Sequence, residues 1–249
     1  MQISSSNLNI KKNSSSPSFC GLREVLGAYT AKAFLNKVQK IGDVVILKKT
    51  YEKGKLKLTP TKVALVKCKL TKKAEKDSKV FFGLFEPNYS KAITPEELDA
   101  AELGLVEVKY KNLKGVKLSQ GTKAEIQSAD ALTRVYNEGL KILHLISYEG
   151  DKYKGIGTAL LDTVLQQSHQ MKLGGKVFLY AKNLFPPEYL KKSNFCTKMS
   201  FSSPTQFYYN YGFRADNATN ELLANKSTVD GFTMHLPLSV IRDKLSKNK

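Results

Sequence analysis

The amino-acid sequence predicts an α/β fold of the α+β kind, a mixed sheet flanked by helices, preceded by an N-terminal extension. Three observations carry this expectation. Short β-prone runs recur at 43–49, 54–58, 62–70 and 79–85, several of them alternating lysine with an apolar residue. Helical spacing appears elsewhere, in Leu22, Val25, Leu26, Tyr29, Ala33 and Phe34 and again in Leu160, Leu161, Val164, Leu165 and Ser168. A strand-like run, Leu140–Tyr148, then leads through a glycine loop directly into the second of these helices.

Composition bounds the class of protein. The chain has 249 residues, 41% of them hydrophobic, and a mean hydropathy of -0.32. That is enough apolar material for a buried core and excludes wholesale disorder. No apolar run approaches the ~18 residues of a membrane-spanning helix; Val44-Val45-Ile46-Leu47 suits a buried strand instead. The polar N-terminus lacks the apolar core of a secretory signal. Cys20, Cys68 and Cys196 are odd in number and widely spaced, which excludes a disulfide framework or a metal cluster. A reducing, cytoplasmic setting is the expectation. Residues 1–20 hold seven serines, two lysines and no acid. They read as a flexible tail, with an export signal as the alternative, and leave residues 21–249 as one domain.

The net charge of +18 invites an anionic partner, whether nucleic acid, membrane or acidic protein. Only Arg23, Arg134, Arg214 and Arg242 are arginines among 40 basic residues. Phosphate and base recognition favours the arginine fork, so this skew argues against sequence-specific nucleic-acid binding. Half of the excess, +9, sits within residues 48–80, where 12 lysines face Glu52, Glu75 and Asp77. A solvated lysine face and a docking surface for an acidic macromolecule both fit that stretch.

Local signals place the elements in order. Leu22–Val38 reads as one helix, and the four β-prone runs follow it. In 62–70, Lys67 and Lys69 share one face of a strand and Val66, Cys68 and Leu70 the other. Thr94-Pro95-Glu96-Glu97 starts a helix, with Thr94 as N-cap, Pro95 in the first position and Glu97 completing a capping box. Gly104–Tyr110 alternates as a half-buried strand. Ala131–Tyr136 and Leu140–Tyr148, joined by Asn137-Glu138-Gly139, read as a hairpin, with a helix over 129–138 as the alternative. Val177–Ala181 and Thr233-Met234-His235-Leu236 complete the strands.

Two segments carry chemistry. In Glu149-Gly150-Asp151-Lys152-Tyr153-Lys154-Gly155-Ile156-Gly157-Thr158, the glycines at 155 and 157 clear side chains from a helix start. Its free N–H groups and partial positive charge suit a phosphate. A tight strand-to-helix turn explains the same glycines without a ligand. A dinucleotide site does not fit: Leu160 stands at the third glycine position, and Ala181-Lys182-Asn183 after the next strand lacks the ribose-binding acid. The second segment is Ser203-Pro204-Thr205-Gln206-Phe207-Tyr208-Tyr209-Asn210-Tyr211-Gly212-Phe213. Ser203 and Gln206 form a capping box, Pro204 opens the helix, and Gly212 suits the left-handed position that ends it.

These two segments, in this order, resemble the GNAT superfamily of N-acetyltransferases. The family's pyrophosphate loop, Arg/Gln-x-x-Gly-x-Gly/Ala, is matched by Lys152–Gly157 with Lys152 at the Arg/Gln position and Tyr153 where a glycine is common. Its later Phe-Tyr-x-x-x-Gly-Phe element is matched by Phe207–Phe213. The likeness covers residues 140–237 and is interrupted by an insertion over 184–202. The resemblance implies a mixed, mostly antiparallel sheet whose fourth and fifth strands splay to admit acetyl-CoA as co-substrate. It also implies direct transfer of the acetyl group to an amine, in a small molecule or a protein lysine. Pantetheine would pair near Leu145, Ile146 and Ser147, and an N–H near Ser147 or Tyr148 would hold the thioester oxygen. Lys152, Tyr153, Lys154, Gly155, Ile156, Gly157 and Thr158 would cradle the pyrophosphate, with Asn183 beyond the fifth strand. Tyr208 would protonate the leaving thiolate. Glu149 is the first candidate for general base and His144 the second; His235 reads as a core residue. A catalytically silent acyl-CoA or partner-binding domain of the same kind, and a lysine-rich binder of nucleic acid or acidic protein, are the alternatives.

Overall fold

The computed structural model describes residues 21–69, 79–114, 132–181, 204–216, 218–225 and 231–247. The serine-rich 1–20 tail, Asn183, the 184–202 insertion, Cys20, Cys196 and Ser203 lie outside them.

Two short helices come first, α1 (Leu22–Val25) and α2 (Ala31–Lys37). The single helix expected over Leu22–Val38 is therefore broken. Gly27 takes a left-handed φ of 58°, and Thr30 caps a fresh start by accepting from the Ala33 N–H. Tyr29, counted on the apolar stripe, is 87% exposed.

Strands β1 (Val38–Glu52) and β2 (Lys55–Cys68) form one long hairpin, so the separate runs predicted there merge into two strands. The turn between them has positive φ at Lys53 (50°) and Gly54 (76°), as a two-residue turn that follows the natural strand twist requires. Strand β3 (Lys79–Phe85) follows, and then α3 (Pro95–Ala101), whose Thr94–Glu97 capping box forms as read from the sequence. Strand β4 (Glu102–Asn112) and strand β5 (Glu138–Ser147) come next. Residues 132–135 are helical, which corrects the hairpin expected at 131–148 and favours its alternative. Leu132 and Tyr136, one helical turn apart, are both buried. Strand β5 pairs with β4 instead.

A two-residue strand β6 (Tyr153–Lys154) leads into α4 (Ile156–Gln170) and strand β7 (Val177–Ala181). Helix α5 (Pro204–Tyr211), helix α6 (Asn220–Ala224), strand β8 (Phe232–His235) and helix α7 (Leu238–Lys247) complete the chain. The sheet has eight strands in the order β6-β1-β2-β3-β4-β5-β7-β8. Every neighbouring pair is antiparallel except β5 and β7. The fold is thus a mixed, mostly antiparallel sheet with helices.

Each face of the sheet carries its own core. Ile46, Phe82, Leu84, Val106 and Val108 pack with Leu160, Leu161, Val164 and Leu165 of α4. On the other face, Phe34, Val66, Phe85 and Leu98 gather beneath α1, α2 and α3. The inward set read from the spacing of α4 is buried as expected. Gln167 is buried as well, and its Oε1 accepts from Lys67 Nζ at 3.2 Å.

Glu102, at the start of β4, is only 3% exposed. Its carboxylate accepts from the Leu22 N–H through both oxygens at 3.0 Å, tying α1 to the sheet. Burial pushes its carboxyl up to about 8, against the opposing pull of that hydrogen bond. The folded value lies above the unfolded one, so the protonated form is favoured on folding. That contribution is complete below the unfolded value and is lost as pH rises to about 8. Glu102→Gln keeps an acceptor oxygen for Leu22 and removes the charge. In thermal melts the variant should gain at least ~4 °C over the parent near pH 8.5 and show almost no gain near pH 5.

Candidate active site

The site begins where β5 and β7 part. Their parallel pairing covers Leu140↔Val177, Lys141↔Phe178 and Ile142↔Leu179, and then ends. Strand β5 continues to Ser147 on its other edge, held to β4 as far as Gly104↔Ser147. Among the described residues, no strand pairs with the β7-facing edge of the stretch from Leu143 to Ser147. Its register against β4 shifts at the same place: Ile142 faces Val108 and His144 faces Glu107, so Leu143 has no partner. Such a bulge bends a strand and re-aims the side chains after it.

Peptide groups alternate in direction along a strand. The Tyr148 N–H donates to Leu103 O at 2.9 Å, so the peptide groups of Ser147 and Leu145 point the other way, into the gap. This narrows one expectation: the Tyr148 N–H is already engaged, which leaves that of Ser147 as the donor facing the gap.

The glycine loop closes the open end. The Glu149 carbonyl accepts from the N–H groups of Lys152 (3.1 Å) and Tyr153 (2.8 Å), and the Lys152 carbonyl accepts from the Lys49 N–H at 2.7 Å. Tyr153 is buried and its hydroxyl donates to Glu86, so its side chain is a structural anchor pointing into the protein. Burial, followed by that hydrogen bond, raises its pKa. Gly155 is the N-cap of α4 at φ 99°, a left-handed position, and no side chain caps the helix. The first intrahelical bond there runs from the Ala159 N–H to Gly155 O. The N–H groups of Ile156, Gly157 and Thr158 have no preceding carbonyl within the helix to reach. Thr158 and Lys154 are exposed beside them.

Gly157 meets protein as well as the proposed ligand space. A Cβ there would stand 2.8 Å from Phe207 Cζ and 3.6 Å from Leu145 Cδ2. The end of β5, the glycine loop and α5 thus meet at Gly157. Gly212, at φ 123°, ends α5 as expected, and the Phe213 N–H reaches back to Tyr208 O at 2.9 Å. The Gln206 amide donates to Ala224 O at 2.9 Å.

The tyrosines of α5 differ in role. Tyr211 is buried and donates to Asp162 Oδ1 on α4 at 2.6 Å, a packing contact. Tyr209 stacks on the Arg214 guanidinium, 4.1 Å from its ring centre. Tyr208 lies between the rings of Phe207 and Phe213, at 5.2 and 5.6 Å, and burial raises its pKa. It is protonated at neutral pH, the state a proton donor needs.

The two candidate bases stand in different surroundings. Glu149 is ion-paired with Lys152 at 2.7 Å, and that contact is the first cause of the raised Lys152 pKa. His144 Nδ1 lies 2.5 Å from Glu107 Oε2, and Lys79 Nζ lies 2.5 Å from the other carboxylate oxygen. Glu107 is buried, while the His144 side chain is 42% exposed. The Lys79–Glu107–His144 chain spans three strands, so nothing in local sequence could announce it. His235 is buried, packs edge-on to Tyr136 at 5.6 Å, and has its pKa lowered by burial, consistent with a core residue.

A separate groove of about 630 Å³ lies between β1–β3 and α4, lined by Gln39, Val45, Phe82, Asp162, Gln166 and Gln170 among others. Compared with known proteins, the chain matches no family model, no curated protein and no solved structure.

The contact at Gly157 generates a stability prediction. Gly157→Ala should destabilise the protein by about 1–3 kcal/mol through overpacking against Phe207. Phe207→Leu, which withdraws the ring edge, should recover most of that loss. Urea unfolding of the two single variants and the double variant measures the coupling.

Proposed function

We propose that this protein is an acetyltransferase that moves the acetyl group of acetyl-CoA to an amine. The observation that carries the reading is the parallel pair β5–β7, which separates after Ile142 and Leu179 with an uncapped helix N-terminus at its mouth. An open strand edge offers amide pairing to pantetheine, and the α4 N-terminus offers N–H groups to its pyrophosphate. Both features lie on consecutive residues, 143–158, so one extended ligand reaches from one to the other.

Each residue then has a defined task. Leu145 and Ser147 present peptide groups to the pantetheine arm, and the Ser147 N–H stabilises negative charge on the thioester oxygen as the amine attacks. His144 accepts the proton that the incoming ammonium must lose. Glu107 holds Nδ1 and leaves Nε2 for that task, and Lys79 in turn holds Glu107. Glu149, engaged by Lys152, shapes the loop. Tyr208 donates its proton to the departing thiolate. The amine gains the acetyl carbon, the carbon–sulfur bond breaks, and free CoA carries the Tyr208 proton. Water or the released proton restores the tyrosine.

Release of CoA thiol from acetyl-CoA across a panel of amines tests the activity. With an accepted amine, His144→Gln and Tyr208→Phe should each lower kcat by ~10²-fold or more, with little change in the affinity for acetyl-CoA. Thr158→Glu tests the loop. A carboxylate at the exposed third position of α4 favours the helix itself but repels a bound pyrophosphate. Its melting temperature should hold or rise while affinity for acetyl-CoA falls at least ~10-fold. Undiminished binding by that variant would remove the loop from the site, and no thiol release with any amine class would remove the reading.

A further inference from the structure

The β1–β2 hairpin extends far beyond the sheet that supports its base. Strand β3 pairs with β2 only from Ala64 to Lys67, and β6 pairs with β1 only at Leu47 and Lys48. Between Lys49 and Thr61 the hairpin is a two-stranded ribbon, with no third strand beside it among the described residues. Lys55 to Pro60 are exposed without interruption. A ribbon of this kind has nothing of its own to bury its side chains against.

Its two faces are chemically opposite. The pairs Tyr51↔Leu56, Lys49↔Leu58 and Leu47↔Pro60 put an apolar stripe on one face. Tyr51 is 72% exposed, Leu56 51% and Leu58 38%. The pairs Glu52↔Lys55, Thr50↔Lys57 and Lys48↔Thr59 put charge on the other, and Lys53 sits in the turn. Glu52 is the sole acid between residues 47 and 62, against six lysines, and it is already paired with Lys57 at 2.8 Å. Lys49 is also engaged, its Nζ donating to Gly150 O at 2.7 Å.

We propose that this ribbon docks the protein on an anionic lipid bilayer, lying along the headgroup layer with its apolar face turned toward the acyl chains. Tyr51, Leu56 and Leu58 then reach the acyl boundary while Lys48, Lys53, Lys55 and Lys57 lie among the acidic headgroups. Only a medium that surrounds the ribbon meets both faces at once. Nucleic acid would neutralise the lysines and leave the apolar stripe in water. A protein surface of ordinary flatness would cover one face. The arginine-poor composition suits diffuse attraction to headgroups, which needs charge and no fork geometry.

The test is sedimentation of the full chain with vesicles of phosphatidylcholine alone or with 30% phosphatidylserine. Binding is expected only to the anionic vesicles and should fall steeply as salt rises. With roughly a fivefold contribution from each lysine near the surface, Lys53→Gln/Lys55→Gln/Lys57→Gln should weaken it by ~100-fold. Lys32→Gln/Lys91→Gln/Lys111→Gln makes the same charge change elsewhere on the surface and should cost far less. Tyr51→Ser/Leu56→Ser/Leu58→Ser, with all lysines kept, should weaken binding at low salt too. Melting temperatures of all three variants should match the parent, since every altered side chain is exposed. No binding to the anionic vesicles overturns the proposal. So does equal loss in the ribbon and control lysine variants, or binding that survives the serine variant. Retention on polyglutamate or DNA without vesicle binding would overturn it as well and assign the ribbon a macromolecular partner.

Discussion

Leu143 has no partner on β4, and much of the candidate site depends on that one unpaired residue of β5. In an uninterrupted strand Ile142 and His144 share a face, because side chains alternate with a period of two. Here Ile142 faces Val108 within the core beneath α4, while His144 faces Glu107 on the opposite side of the sheet. The extra residue moves His144 across the sheet to its carboxylate. It also marks the point where β5 leaves β7. One backbone irregularity thereby divides β5 into a part paired on both edges and a part paired only with β4 among the described residues.

The buried carboxylates show how this sheet uses charge sparingly inside and freely outside. Glu107 meets His144 at one oxygen and the Lys79 ammonium at the other, an ion-pair contact that offsets burial by charge although that oxygen accepts no hydrogen bond among the described residues. Glu102 has only the Leu22 N–H and burial against it, and its proton affinity rises accordingly. Most of the described lysines are exposed, where solvent screens their charge and the fold gains little from it. That leaves those lysines available for recognition, as on the β1–β2 ribbon. No helix among the described residues is long and apolar enough to cross a membrane.

Elements with strong local chemistry were legible in advance. The Thr94–Glu97 capping box, the glycine-terminated α5, the buried stripe of α4 and the strand over Val177–Ala181 all stand where the residues place them. The glycine loop was legible too, since a left-handed Gly155 opening a helix is a local event. Misreadings occurred where distant contacts overruled local spacing. The N-terminal helix breaks because Gly27 turns the chain so that Phe34 and Leu22 both reach one core. Residues 132–135 are helical because Leu132 and Tyr136 bury together while β5 finds β4, a partner some thirty residues earlier in the chain, roughly three strand lengths.

By itself, the sequence determined the alternation of strands and helices, the caps, and the glycine loop that opens a helix at Gly155–Thr158. These follow from propensities and hydrogen bonds made within about four residues. Tertiary structure alone decided the order of strands, the bulge at Leu143, the Lys79–Glu107–His144 chain, the meeting of Phe207 with Gly157, and the projection of the β1–β2 ribbon. Each depends on which strands lie side by side and where their pairing stops. Long-range packing sets that choice, and no short window of residues contains it.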